Sequence, residues 1–187
     1  MRTFIAIDLD VGLKAALQAL VGELERFPGS KSVRWVGAAG MHLTLKFLGE
    51  ISEEQAARIS IVLEEVALRN RAFDLALAGT GAFPPGRRDP RVFWVGISSA
   101  PPLLALQEDI EAEMEKLGFE REKRRFHPHL TLGRVRFPSR LDPLIQEIEK
   151  YQEQKFGEMR VEKFTFFQST LKPSGAEYTV LKECCLA

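Results

Sequence analysis

Residues 41–50 read MHLTLKFLGE, and residues 126–134 read FHPHLTLGR. The phrase His-Leu-Thr-Leu stands in both, at 42–45 and 129–132, and two of the three histidines in 187 residues open it. Each copy alternates with the two-residue period of a strand. His42 and Thr44 therefore point to one face, with Leu43, Leu45 and Phe47 on the other. His129 and Thr131 stand opposite Leu130 and Leu132 in the same way. The leucines need a core, and the other face presents an imidazole beside a hydroxyl. One copy would say little, because Thr belongs in strands and a lone His commonly satisfies a local hydrogen bond. Two identical copies 87 positions apart imply two lobes that face each other across a shared site.

Around these phrases the chain alternates between strand and helix patterns. Thr3 to Leu9 alternates as a strand, and Asp10 can cap a helix whose stripe is Leu13, Leu17, Leu20, Val21 and Leu24. Ser32 to Val36 is a short strand before the first phrase. Ser52 and Gln55 form a capping box for a second helix with Ile59, Val62, Leu63 and Val66 inside. Residues 72–80 and 91–98 read as strands on either side of a Gly/Pro loop, 81–90, which carries Arg87 and Arg88. Pro101 and Pro102 open a third helix that Gly118 ends. Asp142 and Pro143 open a fourth, and three strands near 156–163, 163–171 and 176–183 close the chain, the last two through a turn at 172–175. The expected order is strand, helix, two strands, helix, two strands, helix, two strands, helix, three strands. Strand pairs between helices make the class α+β with antiparallel or mixed sheets, and one domain over residues 1–187. No Gly-rich phosphate loop follows a strand, which excludes Rossmann and P-loop nucleotide binding.

Composition narrows the function classes. The 26 basic and 26 acidic residues cancel, which argues against a protein that coats nucleic acid by bulk charge and leaves room for a local basic groove. No apolar run approaches a membrane span, and Met1 leads straight into a strand pattern, so the expected location is the cytoplasm. Cys184 and Cys185 are adjacent and suit a reducing compartment. The ending Cys184-Cys185-Leu186-Ala187 has the form of a prenylation box, but a strand pattern runs almost to it and no polybasic flank precedes it.

Two imidazoles and two hydroxyls suit phosphodiester cleavage. The nucleophile must lose a proton, the leaving oxygen must gain one, and the non-bridging oxygens must be held. Histidine titrates near 6.5, so one copy can act neutral and the other protonated. Threonine hydroxyls can donate to phosphoryl oxygens. No cofactor or metal is needed for these steps.

The chain resembles the 2H phosphoesterases, and within them the LigT-like RNA 2',3'-cyclic phosphodiesterases, also called 2'-5' RNA ligases. Two His-x-Thr-x motifs mark that family. The likeness also takes in Arg2, Phe4 and Ala6, Arg34-Trp35-Val36, and VFWVGI at 92–97. It implies a bilobal, pseudo-twofold fold with both motifs on central strands lining one cleft and helices outside. It implies metal-independent hydrolysis of an RNA terminal 2',3'-cyclic phosphate to a 2'-phosphate, and in some members the reverse 2'-5' joining. It casts His42 as proton donor to the leaving 3' oxygen and His129 as proton acceptor from water, with Thr44 and Thr131 on phosphoryl oxygens. The partner would be RNA with a cyclic phosphate end, such as a tRNA fragment, or a small cyclic nucleotide, met by a monomer.

Further substrate contacts are weaker in the pattern. Arg134 follows the second motif, yet strand parity sets it opposite His129 unless the strand bends near Gly133. Lys46 shares parity with His42 and could meet phosphate, against a default of a solvated lysine at the strand end. Phe4 and Phe126 could stack a base, against a default of core packing. The cluster Arg121, Lys123, Arg124 and Arg125 could follow an RNA backbone or form a solvated face. His127, before Pro128, supports the local turn. Within the family, cyclic nucleotides or ADP-ribose-type cyclic phosphates could replace RNA ends as substrates, and two further readings stand beside hydrolysis. One is a metal hydrolase using His42, His127 and His129, for which no carboxylate near either motif completes a ligand set. The other is a non-catalytic RNA-binding module of the same fold, which would not need both motifs intact.

Overall fold

The computed structural model describes residues 1–85, 89–98, 100–137, 140–173 and 175–187. Arg87 and Arg88, and Ser174 of the expected turn, lie outside the described residues. Among the described residues, nine strands and four α-helices follow in the order β1 (Arg2–Asp8), α1 (Val11–Leu24), β2 (Val33–Trp35), β3 (His42–Glu50), α2 (Glu53–Arg69), β4 (Phe73–Phe83), β5 (Val92–Ile97), α3 (Pro101–Lys116), β6 (His129–Val135), α4 (Asp142–Glu149), β7 (Lys155–Val161), β8 (Lys163–Lys172) and β9 (Gly175–Cys185). The first two helices start where their caps place them. Asp10 accepts from the Leu13 amide at 2.7 Å, and Ser52 and Gln55 exchange both bonds of a capping box, at 3.1 and 2.9 Å.

Two sheets form, in the orders β3-β1-β8-β9 and β2-β6-β5-β4-β7, and every pairing is antiparallel. The helices cross between the two sheets. Strand β1 belongs to the first sheet, but α1 packs on β7 of the second; β5 belongs to the second, but α3 packs on β3 of the first. α2 covers β8 and β9 while α4 covers β4, so the helices lie outside. The unit β1–α1–β3–α2 thus has its pseudo-twofold counterpart in β5–α3–β6–α4. A core of alternating residues, among them Ile5, Ile7, Leu43, Phe93, Val95, Leu130 and Phe166, runs through both lobes. β3 and β6 meet between the sheets.

Three expectations need correction. Only one strand, β6, separates α3 from α4, because residues 119–128 carry a charge run without alternation and end on Pro128, which has no amide to donate. β4 continues to Phe83, into the stretch read as a loop, paired through Phe83 to Val92. The motif strands are not both central: β2 extends the second sheet beyond β6, whereas β3 is the edge of the first.

Candidate active site

Both motif strands carry a bulge at the same place. In β3, Ala6 pairs with Thr44 and Ile5 with Lys46, which leaves Leu45 without a partner. In β6, Trp94 pairs with Thr131 and Phe93 with Gly133, which leaves Leu132 without one. An extra residue on one strand resets the alternation of everything beyond it. His42 and Thr44 keep the face of Ala6, and His129 and Thr131 the face of Trp94, as their parity requires. Past the bulge the faces exchange.

The exchange overturns two readings and supports a third. Lys46 is turned into the interior and is 5% exposed. Its ammonium donates to Glu111 of α3 at 2.6 Å and to the Glu120 carbonyl at 2.9 Å, so it meets no substrate. The Glu111 carboxylate also accepts from Gln107 and from the Glu122 amide, both at 3.3 Å, which satisfies a charge that would otherwise be costly to bury. Phe47 comes out on the other face, next to Phe4 and 67% exposed, not beside Leu43 in the core. Arg134 joins the face of His129 and Thr131, paired with Val92 and exposed.

The two imidazoles sit in unlike surroundings. His42 stacks on Phe4 with ring centres 4.8 Å apart, meets the Tyr178 ring edge-on at 5.2 Å and has Phe167 at 6.0 Å. Burial among these rings outweighs the nearby Asp8 and pushes its pKa down to about 4; Lys14 lowers it further, and a hydrogen bond with the Ala39 backbone opposes the shift. Phe4 is therefore a backing plate for His42: it is 3% exposed, and no base can reach its face. A groove of about 430 Å³ opens beside the ring, lined by Asp8, Lys14, Ala39, Phe167 and the start of β9.

His129 is anchored differently. Its Nδ1 lies 2.7 Å from the His127 carbonyl, so Nδ1 carries the donated proton and a neutral ring keeps its lone pair on Nε2. His127 thus shapes the turn through its backbone. Phe83 meets the His129 ring edge-on at 5.4 Å and packs on Trp94, whose indole lies so close over Gly81 that a Cβ there would come within 2.3 Å. Phe126 is half-buried against the core and lines a separate groove of about 480 Å³ with the 121–125 segment, where Arg121 is already paired with Glu108 and Glu115. Among the described residues no three His, Cys, Asp or Glu side chains cluster as metal ligands. No helix there is long and apolar enough to cross a membrane.

Tyr178, Phe167 and Phe83 shape the site, and none was legible as a site residue. They reach it only through pairings distant in sequence, such as β1 with β8 and β8 with β9. Phe83 had one available signal: strand alternation continues past Thr80 to it, through glycines that masked the pattern.

Known proteins share this arrangement. The profile of the 2'-5' RNA ligase superfamily matches residues 13–172. An Archaeoglobus fulgidus protein named RNA 2',3'-cyclic phosphodiesterase is 39% identical over 184 residues, covering 97% of this chain and 98% of its own. The crystal structure of TT0787 of Thermus thermophilus superposes with a TM-score of 0.84 at 32% identity, covering 100% of this chain and 98% of that one. E. coli LigT, crystallised with 3'-AMP, does so with a TM-score of 0.78 at 28% identity, covering 99% and 97%. With two bulged His-x-Thr strands meeting between two pseudo-equivalent sheets, and matches of this extent, the chain belongs to the 2'-5' RNA ligase superfamily.

Proposed function

We propose that the protein hydrolyses the 2',3'-cyclic phosphate at an RNA end to a 2'-phosphate, using its two histidines and no metal. Water attacks phosphorus as its proton passes to Nε2 of His129. The bond from phosphorus to the 3' oxygen breaks, and His42 protonates that oxygen. Thr44 and Thr131 donate to the non-bridging oxygens as charge gathers there. With a 5'-hydroxyl in place of water as the nucleophile, the same steps join two RNAs through a 2'-5' bond. The observation that carries this reading is the repeated geometry. Each motif strand sets an imidazole and a hydroxyl on one face, and the His127 carbonyl holds His129 in the tautomer a base needs. The activity named for the A. fulgidus relative supports it.

His42 meets a condition before it can act as donor, since at pKa about 4 it is neutral in the free protein at pH 7. The substrate supplies the remedy. A bound phosphate places negative charge beside the ring, and a nearby opposite charge favours the imidazolium. That opposes the effect of burial and raises the His42 pKa above its value in the free protein. The donor thus arms only with substrate in place.

We take the chain as one domain of two interleaved lobes, a monomer acting in the cytoplasm on RNA ends such as tRNA fragments. The test is turnover of an oligonucleotide ending in a 2',3'-cyclic phosphate and of a 2',3'-cyclic mononucleotide, each with and without EDTA. Release of a 2'-phosphate unaffected by EDTA is expected. Turnover lost in EDTA and restored by a divalent ion would favour a metal hydrolase. Binding of the oligonucleotide without turnover of either substrate would leave an RNA-binding module.

A further inference from the structure

The second sheet has a strand that the first lacks, and its cargo on the cleft side is a cation. β2 pairs with β6 beyond the motif, and Arg34 stands directly opposite Arg134. Arg134 reaches that face only through the bulge at Leu132. Like charges facing each other across a strand pair are destabilising. Here nothing among the described residues offsets them: no carboxylate lies within salt-bridge distance of either guanidinium. The nearby Glu177 is taken by Lys172. The residues outside the described ones, Gly86, Arg87, Arg88, Ser99, Pro138, Ser139 and Ser174, include no acid.

The pair is also placed for a strand of nucleic acid. Along β5, Trp94 faces Thr131 and Val92 faces Arg134, two residues on, or about 7 Å of strand. Arg34 lies one strand further, and its guanidinium reaches across to the first sheet. A Cβ on Gly175, at the head of β9, would lie 3.5 Å from an Arg34 terminal nitrogen. Two exposed, unneutralised forks thus sit about one nucleotide's reach from the threonine assigned to the reacting phosphate.

We infer that Arg34 and Arg134 form a second phosphate subsite, which takes the phosphodiester on the 5' side of the terminal nucleotide. The subsite makes the protein prefer a strand end to a free 2',3'-cyclic nucleoside phosphate. This rests on the function proposed above and adds the substrate class to it. Guanidinium forks suit phosphate oxygens, and contacts remote from the reacting bond act on KM.

The experiment compares the wild type, Arg34→Gln and Arg34→Lys. The substrates are a short oligonucleotide with a 2',3'-cyclic phosphate end, a 2',3'-cyclic nucleoside phosphate, and that nucleotide with an added 5'-phosphate. Arg34→Gln should raise KM about tenfold for the oligonucleotide and the 5'-phosphorylated nucleotide, with kcat and the plain cyclic nucleotide changed less than about twofold. Arg34→Lys should recover part of the loss. The salt dependence of oligonucleotide binding should become shallower by about 0.7 per lost phosphate contact. An equal KM rise on all three substrates, a fall in kcat alone, or no change would overturn the subsite. If the wild type turns over none of them, the proposed hydrolysis fails separately. Binding of oligonucleotide and nucleoside 2'-phosphates then decides, and equal, salt-independent binding of the two overturns the subsite.

Discussion

The two motif strands begin with the same four residues and end up with different work. β3 and β6 both bulge at the fourth residue of the phrase. Beyond it β3 sends Lys46 inward to Glu111 and Phe47 outward, while β6 sends Gly133 inward and Arg134 outward. The first imidazole is enclosed by Phe4, Phe167 and Tyr178. The second meets one aromatic edge and a backbone carbonyl. Identical motifs therefore place their imidazoles in unlike surroundings, because what encloses a ring is set by its neighbours and not by the motif. The proposed division of labour rests on that difference between the neighbours of the two rings.

The largest effect should come from separating the histidines. With a leaving group that departs without a proton, such as a nitrophenolate ester, His42→Ala should be largely rescued, while His129→Ala should still cost about 10²–10⁴-fold in kcat. The reverse pattern would exchange the roles, and equal rescue would end the division.

Next comes the buried pair that only the first lobe has. Lys46→Met should destabilise by about 3–5 kcal/mol in urea unfolding, since it strands the Glu111 carboxylate in the interior. Adding Glu111→Leu should recover most of the loss. A single-variant effect below about 1 kcal/mol would mean the pair is more hydrated than its burial indicates.

His42 should also mark the pH dependence of stability. Its folded pKa of about 4 lies below the ordinary 6.5, so the unfolded chain takes up the proton first as pH falls. The contribution is whole above pH 6.5, shrinks as pH drops toward 4, and amounts to about 3 kcal/mol across that window. Wild-type and His42→Gln unfolding curves should therefore converge on acidification over that range. Parallel curves would contradict the enclosure.

The smallest effect probes the second lobe's bulge. Gly133 faces inward, where a Cβ would come within 2.6 Å of Val33 and 2.9 Å of Trp35. Gly133→Ala should cost about 1–3 kcal/mol and lower the melting temperature. A neutral result would show that β2 yields easily.

Much of this was legible because it is local. The alternation of 42–45 and 129–132, the stripe of α1 and the caps at Asp10 and Ser52 depend on residues a few positions apart, and each recurs in the structure. That two strands carry the same motif followed from the repeat itself. What lay beyond the fourth residue of each phrase did not. Parity put Lys46 on the histidine face, Phe47 in the core and Arg134 away from the cleft, and a bulge reversed all three.

The sequence by itself determined the strand and helix segments, the α+β class, and a face on each motif strand bearing an imidazole and a hydroxyl. Only the tertiary structure decided which residues share that face past the bulge, which rings enclose His42, and which carbonyl orients His129. The physical reason is that register belongs to a pair of strands. Where β1 and β5 meet the motif strands one residue short, the partner strand sets the direction of every later side chain, and no local pattern records it.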